Sequence, residues 1–167
     1  MSDAQFQVRR LNTEDVAPVS ALARRVWQST YSALISQAQI DAMLSDRYAP
    51  AHIRAQRADP AHGWWVAHQD LMLVGFAHAM MDPTDCKLDK LYVHPDTQRQ
   101  GVGQTLLHAI QQWARQQHAG RLWLQVNRGN AQAIAAYLKY GFRIVESRVF
   151  DIGNGFVMDD YLMEQRL

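Results

Sequence analysis

The sequence predicts an α/β protein in which helices flank one mixed, mostly antiparallel sheet of about seven strands. Three observations lead there. Segments with strand periodicity fill most of the second half of the chain. Two of them flank a long amphipathic helix, a strand–helix–strand unit that places a parallel pair at the centre of the sheet. Two others, residues 64–68 and 71–81, follow one another across a short polar turn, which makes them antiparallel neighbours. With 167 residues and 48% hydrophobic content, the chain buries one real core, so residues 1–167 read as a single domain.

Residues 6–11 read as a short first strand, and Asn12, Thr13, Glu14 and Asp15 supply an N-cap and an acidic first turn. Val16, Val19, Leu22, Ala23 and Val26 then recur at helical spacing. Residues 27–35 read as a break rich in Ser, Thr and Tyr, ahead of a second helix with Ile40, Met43 and Leu44 on one face. Residues 51–58 predict a further turn or short helix before Pro60 and Gly63. From Trp64 the period becomes that of strands, and residues 64–68 and 71–81 form a hairpin about Gln69 and Asp70. Pro83 separates this hairpin from a strand ending at Val93.

Val102, Leu106, Ile110 and Trp113 stack at i, i+4, i+8 and i+11, the stripe of an amphipathic helix that runs to about His118 and stops at Gly120. Residues 122–126 form a short internal strand. The turn Asn127-Arg128-Gly129-Asn130 leads into a helix whose apolar face is Ala131, Ile134, Ala135 and Leu138, closed by Gly141 at its C′ position. Strands over residues 142–150 and 156–164 finish the chain.

Lys and Arg number 17 against 16 acidic residues, a net charge of +1 that gives no reason to expect nucleic acid or an anionic membrane as partner. Cys86 is the single cysteine, so an internal disulfide and a cysteine-based metal cluster are both excluded. Its setting lacks the basic flank or helix start of a reactive thiolate and reads as packing. No His, Asp and Glu spacing suggests a metal site. The start Met1-Ser2-Asp3-Ala4-Gln5 lacks the basic opening of a signal peptide, and no run reaches transmembrane length, which points to a cytoplasmic protein.

The chemistry concentrates where the strand Leu88-Asp89-Lys90-Leu91-Tyr92-Val93 stops at His94-Pro95 and the loop Gln98-Arg99-Gln100-Gly101-Val102-Gly103 opens the long helix. A helix N-terminus presents unpaired N–H groups and the positive end of the dipole, a setting suited to a diphosphate. Glycines there let backbone approach a ligand closely. Taken alone, the loop is equally compatible with an ordinary strand–helix turn whose glycines serve packing.

Two motifs resolve that choice. Gln98-Arg99-Gln100-Gly101-Val102-Gly103 resembles the Q/R-x-x-G-x-G/A signature of the GNAT superfamily of N-acetyltransferases. Val126, Asn130, Ala133, Tyr137, Lys139, Gly141 and Phe142 resemble the V-x-x-x-N-x-x-A-x-x-x-Y-x-K-x-G-F block of the same family, in the right order and with a strand and helix between. The resemblance covers most of residues 64–167, and within the family it is nearest in character to acetyltransferases of polyamines and other small amines.

The resemblance implies the GNAT-type acyltransferase fold and acetyl-CoA as co-substrate, with no metal. Backbone amides of Arg99, Gln100, Gly101, Val102, Gly103 and Gln104 would hold the diphosphate, and Arg99 would add positive charge. Leu91, Tyr92 and Val93 would bind the pantetheine arm with their main chain, as if it were an added strand. Asn127, Asn130 and Ala133 would complete the cofactor site, the asparagines by bonding pantetheine amides or by capping the helix. The family places its general acid at Tyr137, and a phenol with a pKa of about 10 is protonated at neutral pH and suits that role.

Many family members carry Glu at the position of Lys87. Asp89, two residues on and on the same strand face, is the substitute base, with ion pairing to Lys87 or Lys90 as its competing role. A water relay, or an amine arriving neutral, needs no base. Trp27 and Tyr31 would line the acceptor pocket, where aromatic faces hold an ammonium, although core filling also explains Trp27. His94 reads as an exposed loop histidine, His78 as a satisfied structural one, and Asp151, Asp159 and Asp160 as carboxylates facing water.

The expected activity is acetyl transfer from acetyl-CoA directly to a primary amine (small amine, polyamine, amino sugar or peptide amine) in a ternary complex. The alternative is a non-catalytic acyl-CoA-binding sensor on the same fold, which the lysine at position 87 keeps open. A nucleotide-dependent oxidoreductase is disfavoured, because Gly101-Val102-Gly103 lacks the third glycine of the dinucleotide fingerprint. The partner is a small-molecule or peptide amine, and a homodimer is compatible with this reading.

Overall fold

A computed structural model describes residues 6–167; the start read above for the absence of a signal peptide, residues 1–5, lies outside the described residues. The chain runs β1 (Gln7–Arg10), α1 (Val16–Tyr31), α2 (Gln37–Arg47), α3 (Pro50–Ala58), β2 (His62–Gln69), β3 (Met72–Met81), β4 (Cys86–Val93), α4 (Val102–Gln116), β5 (Arg121–Asn127), α5 (Ala131–Lys139), β6 (Arg143–Gly153) and β7 (Phe156–Arg166). All seven strands join one sheet in the order β1-β2-β3-β4-β5-β7-β6. Every neighbouring pair is antiparallel except β4 and β5, which α4 connects as a crossover. The expected mixed sheet with a strand–helix–strand unit at its centre is the observed one.

The sheet buries a separate core on each face. On one side, α4 presents Val102, Leu106, Leu107, Ile110 and Trp113 to Ala77, Leu88, Leu122 and Leu124 of the strands. On the other, α1 to α3 cover Trp64, Val66 and Phe76. Period-2 alternation divides neighbouring residues between the cores, Trp65 on the α4 side and Trp64 on the other. Local chemistry sets the element ends. Asn12 caps the 3-10 turn Thr13–Asp15 in a capping box with Asp15, and Pro50 starts α3 at a position where its missing N–H costs nothing.

Three expectations about the helices change. Residues 27–31 are not a break: α1 continues to Tyr31, because Val19, Ala23, Trp27 and Tyr31 follow one another at i+4 on the buried face. Helix α5 sits rotated from the expected face. Leu138 is 50% exposed, and Ala131 and Ala135 are also exposed, while Ala133, Ile134 and Tyr137 lie against the α4-side core. Helix α4 ends at Gln116, two residues early, as His118 takes a left-handed φ of 63°.

Two irregularities shape the centre of the sheet. Parallel pairing between β4 and β5 consists of Cys86 opposite Leu122 and Lys87 opposite Trp123; beyond that point the strands diverge, though β4 runs on to Val93. Between β3 and β4 the register slips: His78 faces Lys90 and Ala79 faces Leu88, so Asp89 is the extra residue of a bulge.

Ile110 is fully buried at the middle of the α4 stripe. Ile110→Ala is expected to lower unfolding stability by about 2–5 kcal/mol through lost burial and the cavity left behind, read as a fall in the denaturant midpoint at unchanged slope.

Candidate active site

The divergence of β4 from β5 opens a cleft of about 750 Å³. One wall is the end of β4, whose Leu91, Tyr92 and Val93 line it. On its β3 side this strand is fully paired, Val93 with Gly75, Tyr92 with Phe76 and Leu91 with Ala77. On the β5 side the pairing stops at Lys87, so the main chain of Leu91 to Val93 turns an unpaired strand edge to the cleft, suited to an extended chain of amides.

The floor of the cleft is the start of α4. Gly101 is its N-cap at φ 87°, and no side chain caps the helix; Arg99 is also left-handed, at φ 68°. These two reversals turn the loop into the helix and leave the first α4 amides without side-chain partners, the arrangement that holds anions. A Cβ on Gly101 would meet nothing within 4 Å, so its glycine is required by backbone conformation and not by crowding. Arg99, Gly101, Val102, Gly103 and Gln104 all line the cleft, with Lys139 of α5 as a second cation. Gln132 of α5 donates to Gln98 of the loop at 3.1 Å, tying the two sides together.

The opposite wall is α5. Its N-cap Asn130 accepts from the Ala133 amide at 3.3 Å and, with Ala133 and Tyr137, lines the cleft. Tyr137 packs edge-on against Phe142 with ring centroids 5.5 Å apart, and burial pushes its phenol above the ordinary value, keeping it a proton donor. From α1, Tyr31 reaches the cleft and its hydroxyl lies 2.9 Å from that of Tyr92.

Asp89 is the single carboxylate among the described residues that line the cleft. Its Oδ2 accepts from Lys90 Nζ at 2.5 Å and from His78 Nδ1 at 2.9 Å, while Lys87 Nζ lies 3.7 Å from Oδ1. Burial alone would raise its pKa. The His78 hydrogen bond and the Lys90 charge outweigh that effect and hold the carboxyl well below its usual range. Lys90 is itself buried, its ammonium 5.3 and 5.4 Å from the ring centroids of Tyr48 and Trp64. Lys87, where a carboxylate was expected, lies over Trp123 at 5.1 Å.

Asp89 and Tyr137 are thus brought to one cleft with Tyr31 and most of the expected cofactor residues. Three expected residues lie elsewhere. Gln100 does not line the cleft. Asn127 spends its side chain on a turn, accepting from the Gly129 amide at 2.8 Å. Trp27 is 2% exposed and packs behind Tyr31 and Tyr92 as core, where its indole donates to Tyr48 Oη at 3.1 Å. His94 is buried, not exposed, its Nδ1 accepting from the Asp96 amide at 3.0 Å. Asp160 is also buried, and desolvation raises its pKa to about 6. Cys86 packs in the core as expected, its thiol pushed up to about 12 by burial. Sequence reading did not pick out Gln125, Gln132 and Lys139 as lining residues, although Lys139 stood within the quoted motif.

The family model described as acetyltransferase (GNAT) family matches residues 26–142. The chain is similar to an uncharacterized N-acetyltransferase of Mycobacterium tuberculosis, 29% identical over 154 residues that cover 92% of this chain and 98% of that one. It is also similar to spermidine N(1)-acetyltransferase of Thermoplasma acidophilum, 23% identical over 158 residues, 92% of this chain and 96% of that one. Among solved structures, the PaiA N-acetyltransferase of Thermoplasma acidophilum in complex with coenzyme A superposes with a TM-score of 0.85 at 22% identity, covering 98% of this chain and 99% of that one, a likeness of fold.

The loop geometry separates two neighbouring glycines. Gly101→Val is expected to cost about 1–3 kcal/mol, since a β-branched residue must hold a left-handed φ. Gly103→Ala is expected to leave stability nearly unchanged, since its Cβ would meet only Val93 Cγ2 at 3.6 Å. Denaturant unfolding of both variants checks the contrast.

Proposed function

The chain belongs to the GNAT family of acetyltransferases, and we propose that it transfers the acetyl group of acetyl-CoA directly to a primary amine, both substrates being held at once in the β4–β5 cleft. The observation that carries this reading is the meeting of Asp89 and Tyr137 in one cleft, beside an unpaired strand edge and an uncapped helix N-terminus. The acceptor ammonium first gives one proton to water in the cleft. The neutral nitrogen then bonds to the acyl carbon of acetyl-CoA as the thioester C–S bond breaks. The second proton that the nitrogen sheds on becoming an amide replaces the one that Tyr137 gives to sulfur.

The residues of this chain divide the remaining work. The first α4 amides and Arg99 hold the diphosphate. The main chain of Leu91 to Val93 aligns the pantetheine arm, which fixes the acyl carbon along the strand direction. Asn130 and Ala133 pack beside that arm at the start of α5. Tyr137 holds a phenolic proton that passes to the departing sulfur. Asp89 Oδ1, the oxygen that takes no hydrogen bond among the described residues, meets the incoming ammonium. It acts chiefly by orientation and charge, because a carboxylate of depressed pKa is a weak proton acceptor. Tyr31 contributes an aromatic face where the acceptor enters. Similarity to a spermidine acetyltransferase supports a small cationic amine as the acceptor.

Tyr137→Phe is expected to lower kcat by about 10²-fold while the affinity for coenzyme A, measured by calorimetry, stays within about twofold. Asp89→Asn is expected to lower kcat/KM for the amine by about tenfold or more, also with unchanged coenzyme A affinity. Thiol release across a panel of diamines, polyamines, amino sugars and peptides is the readout. No release with any amine, or full turnover in Tyr137→Phe, overturns the reading.

A further inference from the structure

Behind Asp89 a line of hydrogen bonds crosses the sheet and ends at the opposite edge of the core. His78 of β3 is fully buried. Its Nδ1 is 2.9 Å from Asp89 Oδ2, and its Nε2 is 2.8 Å from Nδ1 of His62 on β2. The His62 side chain is 20% exposed, and its Nε2 lies 3.9 Å from Asp59. Burial, with Lys90 nearby, lowers the His78 pKa to about 4 even against the pull of Asp89, so the ring is neutral near pH 7.

Neutrality leaves a single arrangement of protons. The Asp89 carboxylate has no proton to give, so His78 Nδ1 donates to it. A neutral imidazole has one N–H, so His78 Nε2 accepts, and His62 Nδ1 must be the donor. The Asp89 carboxylate therefore fixes the tautomer of His78, and His62, by donating to Nε2, holds the ring in that tautomer and orientation. Both strong donors, His78 and Lys90, converge on Oδ2. Oδ1 receives no hydrogen bond among the described residues and has only Lys87 Nζ near it, at 3.7 Å.

We propose that His78, oriented by His62, is a positioning residue for the acceptor amine: it anchors Oδ2 of Asp89 so that the carboxylate stays ionised with Oδ1 turned to the cleft. The inference rests on the reading of Asp89 as the group that meets the amine. His78 keeps its proton throughout the reaction. The ammonium donates to Oδ1, and the proton it gives up leaves by the cleft and not through the imidazole. The charged and titratable groups around Asp89 are His78 from β3, Lys87 and Lys90 from β4, and Tyr48 at the end of α2. Arg47 faces Lys90, and His62 lies one ring further out on β2.

The test compares His78→Leu, His78→Asn and His62→Gln, with kcat/KM for the best amine followed against pH and divided by the unsubstituted enzyme's value at each pH. That ratio cancels the ionisation of the amine itself. His78→Leu removes a donor from Asp89, whose pKa then rises. Its ratio is expected to be about tenfold below one near pH 7 and to fall further as the pH drops, with the acid limb moved up by about one unit. Coenzyme A affinity stays unchanged. His78→Asn, which can place an amide N–H where Nδ1–H stood, restores most of the loss. His62→Gln, at the partly exposed end, folds normally and shifts the limb in the same direction by less.

In the Asp89→Asn background, His78→Leu should add no further loss. A flat ratio across pH in His62→Gln and His78→Leu, with lowered melting temperature as the sole effect, overturns the proposal. So does an additional tenfold loss in the double variant. If Asp89→Asn alone leaves amine kinetics intact, the reading of Asp89 fails, and the proposal about His78 fails with it. If Asp89→Asn is impaired while the histidine variants are not, the reading of Asp89 stands and only the positioning role is lost.

Discussion

Parallel pairing between β4 and β5 ends at Lys87 and Trp123 while β4 continues to Val93, and the backbone groups left unpaired by that divergence are the constraint around which the rest is organised. An unpaired strand edge is a liability in water-filled space and an asset beside a ligand that can complete the ladder. The edge can persist because β4 is held along its whole length by β3 on the other side and by α4 from beneath, with Leu88 in the same core as Leu106 and Ile110. Strand order, crossover helix and cleft are consequences of one geometry: a parallel pair joined by a helix that starts where the strands part.

The two cores have different tasks. The α4-side core is mostly aliphatic, with Trp65 and Trp113 paired edge-on within it, and fixes the strand–helix–strand unit, hence the position of the helix N-terminus. The other core holds an aromatic cluster, with Trp27, Tyr31, Tyr48, Trp64, Phe76 and Tyr92 in contact through tilted or edge-on pairs. It reaches the cleft through Tyr31 and Tyr92 and harbours the polar cluster of Asp89, Lys90 and His78. Tyrosines serve here because their rings fill volume while their hydroxyls reach partners, Tyr31 with Tyr92 and Tyr48 with Trp27.

Burying Asp89 and Lys90 together is costly in desolvation, and the cluster offsets it with geometry. Lys90 has a carboxylate at 2.5 Å and two aromatic faces, and Asp89 has two donors on one oxygen. Such clusters are poor sources of net stability, yet removing one partner leaves an uncompensated charge. A carboxylate with two donors on one oxygen and no hydrogen bond to the other among the described residues has a defined direction.

Much of this was legible in the residues. The succession of strands along the chain, the crossover helix and the glycine loop were readable because period, caps and turn residues act within a few positions of one another, and the block ending at Phe142 carried Tyr137 with it; the place of β7 between β5 and β6 was not. Other features were hidden because they depend on which distant segments become neighbours. The run Trp27 to Tyr31 looked like a break, since Ser and Thr weaken helical pattern, and only packing against the aromatic core makes it the last turn of α1. The face of α5 was misjudged at Leu138 because six small or apolar residues in nine leave the rotation of a short helix undetermined until the cleft claims Tyr137. His78 reads as an isolated strand histidine until β2, β3 and β4 align; His62 and Asp89 lie 16 and 11 positions away in opposite directions. Local sequence thus determined the elements, their order along the chain and the glycine loop, whereas the tertiary structure alone decided the divergence of β4 from β5 and the charge state around Asp89. Both of the latter are properties of register and burial, which exist only once the strands have paired.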